Sequence, residues 1–182
     1  KLSNADISKA ASNIVNESDR LVARVDEFLV LSHPGKVNCE TVELLGIVNN
    51  LIELVQYELP SEQSQISFNG EDISLHADPD QLRRLLLNLL LNATQAIGED
   101  GKIDIVVDSK SHEMRIMDNG CGIDPQLALD MFDPYVTQRE GGTGLGLAIA
   151  KQISNAHGWE LDYFPNPKGG SIFRIRFSQE CP

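Results

Sequence analysis

Four polar side chains interrupt a leucine-rich stretch at helical spacing. Arg84, Asn88, Asn92 and Gln95 are four, four and three positions apart, which places them on one face of a helix. Asparagine is a poor helix former, and a buried amide without partners costs about 1–3 kcal/mol. This face is therefore either the solvated side of an ordinary amphipathic helix or one wall of a polar ligand site.

Two glycine-containing segments follow, and both let the main chain approach a ligand closely. Residues 118–123 read DNGCGI after an apolar strand, which permits a tight turn against a flat ligand but is also common in ordinary turns. Residues 141–147 read GGTGLGL and open a helix, where accessible amides favour an anion. Neither the Walker A motif nor the dinucleotide fingerprint fits this second segment. It is a phosphate cradle of another kind or a flexible loop.

Helix and strand patterns alternate around these residues. Asp78 is predicted to cap a helix, with Pro79 at its first position and Gln81 at the capping-box position, so that the polar face lies on a helix ending near Ile97. Helical periodicity also covers residues 42–59 and about 147–156. Alternating apolar residues predict strands at residues 66–68, 73–76, 102–107, 113–117, 159–164 and 171–177.

The first segment of the chain is separate in character. Residues 7–32 carry an apolar stripe at helical spacing, and His33-Pro34-Gly35 ends it. Such a helix either folds back on its own domain or joins a bundle in a dimer. We therefore divide the chain into residues 1–35 and residues 36–182.

Charge and cysteine content narrow the function classes. The net charge of -12 disfavours binding to nucleic acid or to an anionic membrane surface. Three widely spaced cysteines form no metal-ligand pattern and predict reduced thiols in the cytosol. The sequence has no signal peptide and no apolar run long enough to span a bilayer.

Together, the order and spacing of the motifs resemble the histidine-kinase family, within the superfamily that also holds DNA gyrase, the mismatch-repair MutL proteins and a class of heat-shock chaperones. Residues 88–93 resemble its N box, residues 118–122 its first glycine box, residues 132–137 its F box and residues 142–147 its second glycine box. Residues 170–173 are similar to its closing G-T-x-F strand, with Ser171 in place of Thr. The short segment at residues 139–142 is most similar to nitrogen-regulation sensor kinases.

This resemblance implies roles for individual residues. Asn92 is expected to coordinate Mg²⁺ with Asn88 in support, Asp118 to accept from the adenine amino group, and Arg139 to meet the γ-phosphate, so that Asn88 and Arg139 are the candidate catalytic residues. The expected ATP-binding set is Asn88, Asn92, Gln95, Asp118, Gly120, Gly122, Ile123, Thr137, Arg139, Gly142, Thr143, Gly144, Leu145, Gly146, Leu147 and Ser171.

The sequence departs from the family pattern at two points. Gln95 stands where many members have Lys or Tyr, which predicts a weaker phosphate contact. No histidine fits the phosphoacceptor pattern of His, an acid, a basic residue and Pro; the four present are His33, His76, His112 and His157. The acceptor is therefore expected on a helix before Lys1, and residues 1–35 resemble the second half of the dimerisation hairpin.

The expected fold is an α/β two-layer sandwich of the Bergerat type, with a mixed, largely antiparallel sheet under about three helices. The expected activity is transfer of the ATP γ-phosphate, with Mg²⁺, to a histidine outside these residues. Expected partners are the histidine-bearing dimerisation helix, a response regulator and a second copy of the parent, in the cytoplasm, whether the parent is soluble or membrane-anchored. The alternatives are an ATPase of the gyrase or MutL type and a degenerate docking module.

Overall fold

The computed structural model describes residues 36–139 and 142–178. The predicted N-terminal helix of residues 1–35, with His33, lies outside the described residues. The elements in chain order are β1 (Glu40–Glu43), α1 (Leu44–Val55), a 3-10 turn (Gln56–Glu58), β2 (Gln65–Gly70), β3 (Ser74–Ala77), α2 (Pro79–Ala96), β4 (Lys102–Asp108), β5 (Glu113–Asp118), α3 (Gly146–Ala156), β6 (Glu160–Pro165) and β7 (Ser171–Arg176).

Five strands form one sheet in the order β2-β4-β5-β7-β6. The β2–β4 pair is parallel and the other three pairs are antiparallel. Strands β1 and β3 form a separate antiparallel pair. With three helices packed over a mixed, mostly antiparallel sheet, the predicted α/β sandwich is confirmed.

The core lies between one face of the sheet and the helices. Alternate strand residues such as Ile105, Ile116 and Phe173 are buried on this face, as the two-residue period of a strand requires. The leucines of α2 complete the core from the helical side. The opposite face of the sheet carries charged side chains, several of them paired: Glu113, Arg115, Glu160, Asp162, Arg174 and Arg176.

The first helix begins later than its periodicity predicts. Residues 40–43 form β1 instead, with Val42 opposite Leu75 of β3, and α1 runs from Leu44 to Val55 before the short 3-10 turn. The prediction of helix from residue 42 was therefore wrong. These residues are extended because they pair with β3, a strand about thirty positions later in the sequence. Local periodicity does not report such pairing.

Helix α2 begins at the predicted cap. The Asp78 carboxylate accepts hydrogen bonds from the main-chain N–H groups of Asp80 and Gln81, at 3.1 Å each. Gln81 does not complete a capping box, because its side chain donates to the Asp78 carboxylate. Burial alone would raise the pKa of Asp78, but main-chain donors from Asn38, Gln81 and Asp80 outweigh it and lower that pKa.

The main-chain N–H of Asp78 has a different acceptor, the buried ring of His157. It donates to Nε2 at 3.1 Å, and Nδ1 of the same ring donates to the Ile153 carbonyl at 2.9 Å. The ring is therefore neutral and stacks on Trp159 with a centroid distance of 4.3 Å. Burial lowers the pKa of His157, against the opposing effects of the Ile153 carbonyl and Asp78. His157 thus joins the carboxyl end of α3 to the amino end of α2.

Two of the three cysteines, Cys39 and Cys121, lie within the described residues. Cys121 is a free thiol on the surface. No helix within residues 36–139 and 142–178 combines the length and the apolar content that a membrane crossing needs.

His157→Phe should destabilise the domain by about 1–3 kcal/mol near neutral pH, because the Asp78 N–H loses its acceptor. Folding lowers the pKa of His157 from about 6.5, so the unfolded chain binds more protons below that pH. Stability that depends on the neutral ring is therefore present above about pH 6.5 and is lost as the pH falls through the folded-state pKa. Urea unfolding at about pH 7.5 and about pH 5.5 measures both effects.

The matched control for this substitution is His76→Phe, since His76 is exposed on β3. It should leave both the stability and its pH dependence close to those of the wild type. An unchanged pH dependence in His157→Phe would contradict the assignment of a neutral, hydrogen-bonded ring.

Candidate functional site

A cleft lies between α2, α3 and the segment that precedes α3. Its polar wall comes from α2 and its opposite wall from the glycine-rich start of α3. The lining residues are Asn88, Leu91, Asn92, Gln95, Ala96, Gly122, Ile123, Leu127, Met131, Val136, Thr137, Gln138, Arg139, Gly142, Thr143, Gly144, Gly146, Leu147 and Ser171.

The polar face of α2 forms a wall of this cleft. Asn88, Asn92 and Gln95 line it, whereas Arg84 does not. The Oδ1 atom of Asn88 is 3.3 Å from the position that a Cβ on Gly146 would occupy. The Nδ2 atom of Asn88 is buried and has no hydrogen-bond partner among the described residues. An amide left in this state costs about 1–3 kcal/mol, which favours a ligand that accepts from it.

The amino end of α3 offers main-chain donors to the same space. Among the described residues no side chain caps this helix, in contrast to α2, which has the Asp78 carboxylate. Gly144 has a φ of +65°, and a Cβ there would lie 2.5 Å from the Tyr135 carbonyl carbon, so only glycine fits. An uncapped helix start with glycines before it is suited to bind an anion such as phosphate.

The other end of the cleft has a buried carboxylate. Asp118 closes β5, is 2% exposed, and accepts from the Gly120 and Ser171 N–H groups at 2.8 and 3.2 Å through Oδ1. Its Oδ2 atom is buried without a partner among the described residues. Burial raises the pKa of Asp118, against the lowering effect of the hydrogen bonds from Gly120 and Ser171. This oxygen is positioned to accept from a buried donor.

The segment before α3 is tied to both sides of the cleft. Arg139 donates from Nη2 to the Asn92 carbonyl at 2.9 Å and from Nη1 to the Gln95 side chain. Burial lowers the pKa of Arg139, against the opposing charges of Cys121 and Asp118. Its neighbour Gln138 donates to the Gly122 carbonyl at 2.8 Å and accepts from a main-chain N–H in the same loop.

Most of the predicted binding residues meet in this cleft. Three do not line it: Asp118, Gly120 and Leu145. Asp118 reaches it through Ser171, to which it is hydrogen-bonded. Gly120 packs against α2, where a Cβ would lie 2.3 Å from the Ala96 carbonyl oxygen. The side chain of Leu145 is buried in the core, so its predicted contact with a ligand stays a prediction for the main chain.

The sequence prediction missed several lining residues: Leu91, Ala96, Leu127, Met131, Val136 and Gln138. The apolar ones have the same spacing as core residues, so sequence pattern does not separate them from the core. Gln138 adjoins Arg139 in a polar stretch, and that proximity was the one signal available.

No group of three or more His, Cys, Asp or Glu side chains within residues 36–139 and 142–178 is arranged to hold a metal ion. A divalent ion here would therefore depend on amide oxygens, ligand oxygens and water. Mg²⁺ accepts such a set, because it keeps several waters and takes few protein ligands. The side-chain oxygen of Asn92 is the protein donor that fits this chemistry.

The chain is similar in sequence and fold to known proteins. The model of the family described as Histidine kinase-, DNA gyrase B-, and HSP90-like ATPase matches residues 77–180. Sensor histidine kinase ZraS of Escherichia coli (strain K12) is 35% identical over 169 residues, which cover 91% of this chain and 36% of that protein. Sensory histidine kinase/phosphatase NtrB of Klebsiella oxytoca is 33% identical over 165 residues, or 82% of this chain and 46% of that protein.

A solved structure, that of the mycobacterial sensor histidine kinase MprB, superposes with a TM-score of 0.70 at 25% identity, over 80% of this chain and 100% of that one. The chain spans between about a third and a half of the length of the two curated relatives. It belongs to the Histidine kinase-, DNA gyrase B-, and HSP90-like ATPase family and carries the ATP-binding catalytic domain of a sensor histidine kinase.

Proposed function

We propose that this domain binds ATP together with Mg²⁺ and transfers the γ-phosphate to a histidine outside the described residues. One observation carries the proposal: two buried polar atoms lack partners among the described residues, Asn88 Nδ2 in the wall of the cleft and Asp118 Oδ2 behind Ser171, which lines it. Ala96, which contacts the turn after Asp118, lies eight positions after Asn88, a rise of about 12 Å along α2. That separation suits a base at one end and phosphates at the other.

The base end is suited to adenine. Asp118 is an acceptor in its ionised form, and the adenine 6-amino group is a donor. Guanine has a carbonyl oxygen at the same ring position and would face the carboxylate with a second acceptor. Ser171 and Gly122 line the cleft beside Asp118. Adenine preference therefore follows from one unpaired oxygen in a buried site.

The phosphate end combines α3 and α2. The N–H groups at the start of α3 would hold phosphate oxygens, and Asn92 would supply an amide oxygen to Mg²⁺, with Asn88 in support. Mg²⁺ supplies charge neutralisation of the phosphates when it is bound. Arg139 already lies over the same part of α2, through its hydrogen bond to the Asn92 carbonyl. Its guanidinium is the cation available to the γ-phosphate, which makes positioning and charge the chief contributions of the protein.

The choice between phosphate transfer and hydrolysis rests on Asn88. ATPases of this superfamily use a Glu at the matching position to activate water, and an amide cannot act as a base at neutral pH. Steady ATP hydrolysis by the isolated chain, abolished by Asn88→Ala, would favour the ATPase alternative. The docking-module alternative is disfavoured because the chain retains Asn92, Asp118 and Gly144, the residues that the proposed nucleotide site requires.

The described histidines are poor phosphate acceptors. Both ring nitrogens of His157 are hydrogen-bonded, and its side chain is buried. His76 lies on β3 and His112 in the turn between β4 and β5, and neither lines the cleft. We infer that the acceptor is on a dimerisation helix of the parent protein, which acts as a homodimer and passes the phosphate to a response regulator.

The parent is proposed to work in the cytoplasm, where ATP and response regulators are available. Nucleic acid is not an expected partner, because the net charge of -12 repels a polyanion.

Asn92→Ala should remove most of the Mg²⁺ dependence of nucleotide binding while the fold is retained. Calorimetric titration with a non-hydrolysable ATP analogue, with and without Mg²⁺, measures this, and the expected loss is about tenfold in the metal-dependent part of the affinity. Arg84→Ala is the matched control, since Arg84 lies on the same helix but does not line the cleft. Fully metal-dependent binding by Asn92→Ala would contradict the assignment.

The chain alone should not label itself with γ-labelled ATP and Mg²⁺, but it should label a separately supplied dimerisation hairpin from its own parent. The reaction should be weak, because the separate hairpin lacks the covalent tether of the parent. Such a tether normally provides a local concentration in the millimolar range. A hairpin whose acceptor histidine is replaced by glutamine is the control. Acid-labile, base-stable label on this chain alone would show that one of its own histidines is the acceptor.

A further inference from the structure

We propose that Asn166, in the turn between β6 and β7, is a positioning residue for adenine recognition because it holds the main chain of Asp118 in place. The inference rests on the proposed binding of ATP. Asn166 is half-buried and does not line the cleft, so its effect on the base would be transmitted through Asp118.

The contact between the two residues is direct. The Nδ2 atom of Asn166 donates to the Asp118 carbonyl oxygen at 2.8 Å, and its Oδ1 atom accepts from the Lys168 N–H at 3.0 Å. Both ends of the amide are therefore engaged, and a carboxylate or an aliphatic side chain could not reproduce the pair. The donor function belongs to the amide, and the acceptor function serves the turn itself.

Asp118 needs this contact because the β5–β7 ladder stops one residue earlier. The last pair between these strands is Met117 with Ile172, whereas on the other side Asp118 still pairs with Ile103 of β4. One residue beyond that pair, the Asp118 carbonyl accepts the hydrogen bond from the Asn166 side chain. The side chain thus continues the contact between β5 and the β6–β7 turn beyond the end of the ladder.

The turn brings a second donor to the same residue. Asn166 closes it through its main-chain N–H to the Gly170 carbonyl at 3.0 Å, and Ser171 then donates to Asp118 Oδ1. Gly170, at a φ of +89°, fits because a Cβ there would lie 2.2 Å from the Asp118 carbonyl oxygen. One turn therefore fixes both the backbone and one carboxylate oxygen of Asp118, which leaves Oδ2 with a defined direction.

A positioning role predicts a change in base selectivity and not a uniform loss of affinity. ATP has a 6-amino donor, and inosine triphosphate has a 6-carbonyl acceptor, so their affinity ratio reports how well Oδ2 is aimed. A role confined to the stability of the turn would weaken both nucleotides by the same factor. The ratio separates the two explanations.

The test is Asn166→Asp, which keeps the oxygen for the Lys168 N–H but removes the donor to Asp118. We expect calorimetry to show about tenfold weaker binding of ATP with little change for inosine triphosphate. Lys168→Ala, in the same turn and exposed, is the control and should leave the ratio unchanged. In a protein that already carries Asp118→Asn, Asn166→Asp should cause little further loss of ATP affinity, because the two residues act on the same contact with the base.

Equal losses for both nucleotides, or undiminished ATP binding, would overturn the proposal. Thermal melts establish whether Asn166→Asp folds, and Asn166→Ser serves if it does not, since a hydroxyl can still accept from the turn. Wild-type protein that binds neither nucleotide would instead contradict the proposed function, and the inference with it.

Discussion

A carboxylate buried at the end of a central β-strand requires hydrogen-bond donors, since an ionised group without them is unstable in the interior. Asp118 receives two main-chain donors on one oxygen and none from the described residues on the other. Much of the surrounding structure follows from this requirement. Gly120 lies against Ala96 of α2 and Gly170 lies against Asp118. Each approach is closer than a Cβ would allow.

The two helices of the cleft satisfy their amino ends in different ways. Helix α2 has an internal anion, the Asp78 carboxylate, and His157 fixes the same residue from the end of α3. Helix α3 starts in a glycine-rich segment with no side-chain cap among the described residues. A helix with its own cap is a rigid support, whereas an uncapped one is open to an anionic ligand. A nucleotide is therefore expected to lie in one direction in the cleft, with its phosphates beside Asn88.

Local signals in the sequence were sufficient for α2 and for most of the cleft. The Asp78 cap and the spacing of Asn88 and Asn92 depend on neighbours within a few turns, so periodicity reports them. The family resemblance added the role of Asp118, which spacing alone left open between a turn and a binding site. The start of α1 was predicted wrongly because β1 is stabilised by pairing with β3.

Contacts between distant residues could not be predicted. The hydrogen bond from Asp78 to His157 joins residues 79 positions apart, and the one from Asn166 to Asp118 joins residues 48 apart. Gln138 reaches Gly122 across 16 positions. Each of these side chains reads in sequence as an ordinary surface, turn or helix-end residue. Their partners become evident only when the sheet order and the approach of the two helices are known.

The cleft is proposed to bind ATP with its base at Asp118 and its phosphates at the start of α3. Calorimetric titration of the wild-type domain with a non-hydrolysable ATP analogue and Mg²⁺, in parallel with the matching GTP analogue, tests it most directly. We expect saturable binding of the adenine nucleotide with one site per chain and at least about tenfold weaker binding of the guanine nucleotide. No binding of the ATP analogue at millimolar concentration, or equal affinity for both nucleotides, would contradict it.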